Sequence, residues 1–276
     1  MQFAQYAVAA IGLLLVLALS FRTFDWWRDV AAWRRLALTS TNEAKTFDLA
    51  MVAGLPEPAR RYFSYSIRPG TRLSTVAEFE MTGELGLGDK AAPGYRQMRA
   101  RQILAPPHGL VWRLKAGAIS GSDGALPETS WTRFWLFNLV PVVRVSDCAD
   151  HHRSAFGRVV AEAAFWTPAA LLPSEDVIWD AVGPDSARAR ISAHGFEQWV
   201  EIKVDSSGAP TEVRIDRWSN ANPDKVFRLQ PFGGTLSDYR DFDGFRVPTR
   251  VEGGNHFGTE AYFPFFKAYV TAMRFL

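Results

Sequence analysis

Residues 77–87, AEFEMTGELGL, put Ala77, Phe79, Met81, Gly83, Leu85 and Leu87 on one side of an extended chain, with Glu78, Glu80, Thr82 and Glu84 on the other. Successive strand side chains point to opposite faces, so this alternation predicts a β-strand with one dry and one wet face. The pattern recurs downstream. Met98, Ala100 and Leu104 alternate with Arg99 and Arg101, and after Pro106-Pro107-His108-Gly109 the residues Leu110, Trp112, Leu114 and Ala116 alternate with Arg113 and Lys115. These two stretches are expected to pair as a hairpin.

Farther along, Ala187, Ala189, Ile191 and Ala193 alternate with Arg188 and Arg190, and Phe196, Val200, Ile202 and Val204 with Glu197, Glu201 and Lys203. Asp205–Gly208 turns the chain into Thr211–Trp218, where Val213 and Ile215 point inward. Three more short strands are expected near 226–230, 235–241 and 245–252, with Asp243-Gly244 as a hairpin turn. At least eight short strands joined by tight turns predict a meandering antiparallel sheet, not βαβ units.

Helical signals are fewer. Residues 41–64 read as two helical pieces. Thr41 or Asn42 caps the first, and Pro56 and Pro58 set it apart from the basic ARRYF of 59–63. Phe156, Val159, Val160 and Ala163 recur at helical spacing within 153–165, and Trp166-Thr167-Pro168 stops that helix. The stretch 117–150 is the least regular. Gly117, Gly121 and Gly124 punctuate a strand and turn, and WTRFWLFNLVPVVRV at 131–145 reads as a buried helix or strand beneath the sheet. The expected fold is mainly β (α+β): a curved antiparallel sheet or unclosed β-barrel with helices packed on its concave face. A cleft between such layers suits a ligand.

The chain opens differently. Phe3–Phe21 is broken only by Gln5 and Ser20 and carries no charge. That approaches the roughly 20 apolar residues a membrane-spanning helix needs. Tyr6, Leu13, Leu14, Leu15 and Leu17 would face lipid, and Trp26, Trp27 and Trp33 suit an interfacial belt. Ala18-Leu19-Ser20 offers small residues for cleavage, but no basic segment precedes the apolar run, so an uncleaved anchor is expected. Residues 1–36 are thus assigned to a transmembrane anchor and juxtamembrane segment, and 37–276 to a single β-rich domain. Arg22, Arg28, Arg34 and Arg35 all follow the apolar run, which by the positive-inside rule places the body in the cytoplasm.

Across 276 residues, 31 Lys and Arg stand against 29 Asp and Glu, and a net charge of +2 gives no basis for nucleic-acid binding. The single cysteine, Cys148, excludes an intrachain disulfide framework and multi-cysteine metal sites. The sequence has no G-x-S-x-G elbow, Walker loop, dinucleotide fingerprint or H-E-x-x-H helix, so no cofactor is implied. One dense cluster, Asp147-Cys148-Ala149-Asp150-His151-His152, holds potential zinc ligands. Adjacent side chains diverge, however, and a polar loop with Asp150 capping the following helix is the preferred reading. Asp147, Cys148, His151 and His152 are therefore weak metal candidates.

Aromatic residues are abundant, with 10 Trp and 20 Phe. Most must be core, but a few lining a cleft would accept an acyl chain or other apolar ligand. Trp112, Trp135, Phe165, Trp166 and Tyr239 are the candidates, each beside a predicted strand or helix end, with Gln102 and Glu162 as polar neighbours. Arg60 and Arg61, on the short basic helix, are candidates for lipid headgroups.

Several strings carry a resemblance. They are Leu55–Tyr62 (LPEPARRY), Arg101-Gln102, Gly109–Trp112 (GLVW), Glu162–Leu171 (EAAFWTPAAL), Ile178-Trp179 and Asp238–Thr249 (DYRDFDGFRVPT). Together they resemble an uncharacterised bacterial family known as a domain of unknown function, whose members often begin with membrane segments. The last string is also similar to the terminal hairpin of lipoprotein carriers of the LolA and LolB type. That resemblance implies an unclosed antiparallel β-barrel whose hollow, occupied by helices, holds acyl chains, and it favours a periplasmic body. The chain departs from the carriers in lacking a lipobox cysteine and in placing its arginines after the apolar run.

Three functional readings follow. One is a membrane-anchored module of the cell envelope that binds a lipid or other hydrophobic ligand. A second is a structural or assembly partner of envelope proteins, without a small ligand. The third, an enzyme, requires Glu162, Arg101, Gln102 and the 147–152 cluster to converge in the cleft.

Overall fold

The computed structural model describes residues 2–40 and 45–276, so the expected caps Thr41 and Asn42 lie outside the described residues. The chain begins with helix α1 (Gln2–Ala37), followed by a 3-10 turn (Leu49–Val52) and helix α2 (Glu57–Ser66). Six strands follow: β1 (Ala77–Gly86), β2 (Tyr95–Ala105), β3 (Gly109–Ala116), β4 (Ile119–Leu126), β5 (Thr129–Leu136) and β6 (Val140–Ser146). After helix α3 (Ala149–Trp166) and a second 3-10 turn (Pro168–Leu171) come β7 (Val177–Ala181), β8 (Ser186–Ala193), β9 (Phe196–Val204) and β10 (Pro210–Ser219). Three long strands close the fold: β11 (Arg228–Phe242), β12 (Phe245–Asn255) and β13 (Phe263–Phe275).

All the strands belong to one antiparallel sheet of order β6-β5-β4-β3-β2-β1-β13-β12-β11-β10-β9-β8-β7, with free edges at β6 and β7. The expected unclosed sheet is therefore present. Helix α3 packs against β2, β3, β4 and β5 from one half and against β9, β10 and β12 from the other. Strands so far apart in the order can touch one helix only if the sheet bends around it.

Several expectations need correction. The region 131–145 falls in two strands, β5, largely buried and paired on both sides, and the exposed edge strand β6, instead of one buried segment. Their turn contains Phe137 and Asn138 at positive φ (52° and 59°), without the glycine or proline that normally announces such a turn. Residues 228–230 of the first stretch and all of 235–241 belong to one strand, β11, which runs through Gly233-Gly234, and β13 completes the sheet by pairing with both β1 and β12. Helix α3 starts four residues earlier than expected, with Cys148 at its N-cap. Of the first predicted piece of 41–64, the described residues from 45 onward hold only the short 3-10 turn.

The sheet has two distinct surfaces. The inner one carries Ala77, Phe79 and Met81 of β1, Leu110, Trp112 and Leu114 of β3, and Val200 and Ile202 of β9, all packed in the main core with the α3 stripe Phe156, Val159, Val160 and Ala163. The outer one supports α1, where Ala32 and Leu36 bury against Val76, Ile103, Val111 and Trp131 in a smaller second core.

Candidate functional site

A cavity of about 140 Å³ lies between α3 and the inner surface of the sheet. Strand parity builds its walls. Trp112, two residues from Leu110 and Leu114, must share their inward side, while i, i+4 spacing on α3 presents Glu162 and Trp166 together. Leu85, Phe232, Phe265 and Phe266 form an apolar lip, Gly233 and Gly234 line the wall and leave no room for a Cβ against the neighbouring strands, and Gly253 leaves open space where a side chain would stand. A Cβ added at Gly253 would meet only the Gly233 carbonyl oxygen, at 3.6 Å.

The cavity floor is polar. Arg158 bridges Glu162 (2.6 Å) and Asp123 (3.0 Å), and the buried Gln102 donates to Glu162. Thr132 donates to Asp123 and also meets His151 Nε2 at 2.9 Å, while Ser130 meets His151 Nδ1 at 2.7 Å. Burial, opposed by Asp123, holds His151 below the ordinary imidazole range, so it is neutral at pH 7. Arg217 differs from Arg158. It donates to Ser154 and stacks on Phe232 (4.9 Å), and among the described residues it makes no carboxylate ion pair. Burial and the nearby Arg158 charge push its pKa down to about 10. The indole N–H of Trp112 is buried and has no acceptor among the described residues. A greasy space thus ends at two underused donors, Trp112 and Arg217.

The sequence candidates fall into separate places. Trp112, Phe165, Trp166 and Glu162 line the cavity, and Gln102 supports it through Glu162. Trp135 lies on the opposite surface, because in β5 the odd-numbered Trp131, Arg133 and Trp135 face α1. Tyr239 sits away from the cavity, packed edge-on to Tyr65 at 5.3 Å. Arg101 also faces outward, paired with Glu80 at 3.2 Å, so the groups required by the enzyme reading do not converge.

The 147–152 cluster disperses in the same way. Asp147 accepts from Thr129, Asp150 from Trp218 Nε1 (2.7 Å), and His152 Nε2 lies 2.9 Å from the Leu126 carbonyl. Among the described residues no group of three potential ligands could hold a metal, Cys148 included. Asp150 therefore serves Trp218 and does not cap α3. Arg61 is held by Glu57, Asp185 and two carbonyls beside the β9–β10 turn, and Arg60 by the Leu55 carbonyl.

The sequence reading missed what fixes α1. Asp25 is 1% exposed and accepts from Arg144 (2.7 and 3.0 Å), Arg133 (3.3 Å) and Trp135 Nε1 (3.1 Å). One turn on, Asp29 accepts from Ser122 at 2.9 Å. The signal was present: Asp25, Asp29, Ala32 and Leu36 share one helix face at i, i+4, i+7 and i+11. The stripe's first half is acidic, so it does not register as apolar.

Contacts along α1 also give its direction. Ser40 donates to the Leu276 carbonyl (2.6 Å), Trp33 to Glu78 (2.6 Å) and Arg22 to Asn138 (3.4 Å), which lies in the β5–β6 turn. Beyond Arg22, Tyr6, Leu13, Leu14, Leu15 and Leu17 are exposed, and Trp26 and Trp27 pack edge-on at 5.0 Å. Among the described residues α1 is the one helix long and apolar enough to cross a membrane. Its apolar part leaves the body at the end of the sheet that carries the β5–β6 turn. By antiparallel register, that same end carries Leu85, Phe232, Gly253 and Phe266.

No curated protein matches the chain. Two solved structures are similar to it. One is a LolA superfamily protein from Nitrosomonas europaea, with 10% identity, a TM-score of 0.43, and coverage of 79% of this chain and 92% of that one. The other is described as an outer membrane lipoprotein-sorting protein domain from Vibrio parahaemolyticus, with 11% identity, a TM-score of 0.34, and coverage of 82% and 91%. The model for Family of unknown function (DUF6544) matches residues 45–268, which is most of the sheet together with α2 and α3, and the chain belongs to that family.

Proposed function

We propose that the protein is anchored in a membrane by α1 and binds a hydrophobic ligand, an acyl chain or similar apolar group, in the cavity beneath α3. The observation that carries this reading is the apolar cavity itself, open space bounded by Trp112, Phe165, Trp166, Phe232 and Phe266 in an otherwise packed interior. Its volume of about 140 Å³ is near that of a cavity known to admit benzene, so a short run of hydrocarbon fills it as it stands. A longer chain would continue outward past Leu85 and Phe266. The unpaired Trp112 N–H and the desolvated Arg217 suit an oxygen-bearing end group. The lip and the apolar part of α1 share one end of the sheet, which gives a ligand a short path from bilayer to cavity.

The full chain, purified in detergent and incubated with palmitic acid, tests this by native mass spectrometry. One fatty acid bound to the wild type and none to Gly253→Leu, whose side chain enters the cavity, is the expected result. Equal binding to both would remove the cavity from the account. A second reading, a protein-docking role, is favoured by one feature: edge strand β6 exposes Val140, Val142, Val143 and Val145.

A further inference from the structure

The outer surface of the sheet places like charges directly opposite one another three times: Arg133 against Arg144, Arg101 against Arg113, and Arg99 against Lys115. Such pairs are destabilising unless something neutralises them. The first pair closes on Asp25, which accepts from both arginines. In the second, Arg101 takes Glu80 at 3.2 Å, and Arg113 lies 5.9 Å over the Trp26 ring. The third pair, Arg99 and Lys115, has no ion-pair partner among the described residues. The fold thus supplies an acid for two of the pairs and leaves the third open.

The open pair lines a groove of about 750 Å³ between α1 and strands β1–β3, in which seven basic side chains face three acidic ones. Arg22, the first charge after the apolar Phe3–Phe21, lines the same groove and reaches Asn138. Where α1 spans a bilayer, Arg22 stands at the level at which lipid phosphates begin. We propose that the phosphodiester headgroup of an anionic membrane lipid seats between Arg22, Arg99 and Lys115 and supplies the missing negative charge. The occupant is a bilayer lipid, not a soluble anion, because the groove opens beside the helix that carries the chain into the membrane. This site is on the opposite surface from the ligand cavity. It rests only on the anchoring half of the functional reading and not on the cavity.

The test uses the full chain in zwitterionic detergent, with phosphatidylglycerol, phosphatidylcholine or inorganic phosphate added in separate arms and the bound species counted by native mass spectrometry. Gly253→Leu serves as background, so that cavity binding does not contribute. Phosphatidylglycerol should be retained at least tenfold better than phosphatidylcholine, and R99Q/K115Q should lose most of that preference, as expected for removal of two basic groups near an anionic lipid. Without added lipid, R99Q/K115Q should melt no lower than its parent, because it relieves a repulsion; with phosphatidylglycerol only the parent should gain in Tm. Equal retention of the two lipids, an unchanged preference in the double variant, or inorganic phosphate raising Tm as much as phosphatidylglycerol would each overturn the proposal. Release of the chain from native membranes by alkaline carbonate would instead remove the anchor, and the lipid preference in detergent would still be read separately.

Discussion

Helices α3 and α1 cover opposite surfaces of the same strands, and they are held there by different forces. Helix α3 buries an unbroken apolar stripe, with Phe156, Val159, Val160 and Ala163 against both halves of the sheet. Helix α1 buries Ala32 and Leu36 in its own small core, with Trp33 and Ala37 packed at its margin, and its other buried residues are the charged Asp25 and Asp29. An apolar interface tolerates some repacking, whereas a buried charge without its partner has no inexpensive alternative. In the proposed function the difference has a sense: the inner surface would keep free apolar volume for a ligand, and the outer one would fix the angle at which α1 leaves the body.

The largest effect expected from this contrast is on the outer surface. Asp25→Ala leaves Arg133, which is 3% exposed, with only Asp29 at 3.8 Å, takes the paired carboxylate from the half-buried Arg144, and should cost about 3–5 kcal/mol. Thermal unfolding of the full chain in detergent reads this directly. A loss below about 1 kcal/mol would show that Ala32 and Leu36 suffice to dock α1, and the contrast between the surfaces would collapse.

A smaller effect sharpens the inner side. Folding holds His151 below its unfolded value of about 6.5, so below that pH the unfolded chain binds more protons and stability falls as the pH drops. His151→Gln can still bond Ser130 and Thr132 without taking up a proton. It should flatten the stability profile between pH 6.5 and 5 by about 1 kcal/mol or less, with little change at pH 8. An unchanged acid slope would mean that His151 does not contribute to it.

The contrast also explains what was legible in the sequence. Strands with one wet face, such as β1, β3 and β9, announce themselves because alternation and burial coincide. Trp135 was assigned to the wrong surface because a tryptophan's identity says nothing about its parity; only the pairing of Phe134 with Gly121 and of Trp135 with Ser120 decides it. The β5–β6 turn was hidden because Phe137 and Asn138 adopt positive φ without glycine. Strand β13 begins with the aromatic run FPFF, which hides its alternation, so no strand was expected after 252. Of the cavity, Trp112, Phe165, Trp166 and Glu162 were among the candidates, whereas Arg158 and Arg217 were not. Their role depends on α3 lying across β4 and β10, a long-range contact that no local pattern encodes.

A palmitic acid analogue carrying a diazirine close to its carboxyl end, photolysed on the full chain in detergent and mapped by peptide mass spectrometry, tests the central claim most directly. Labels should concentrate on the cavity-lining segments around Trp112, Phe165-Trp166, Phe232 and Phe265-Phe266. Labels confined to Phe3–Phe21 and the exposed valines of β6, with none on those segments, would contradict it.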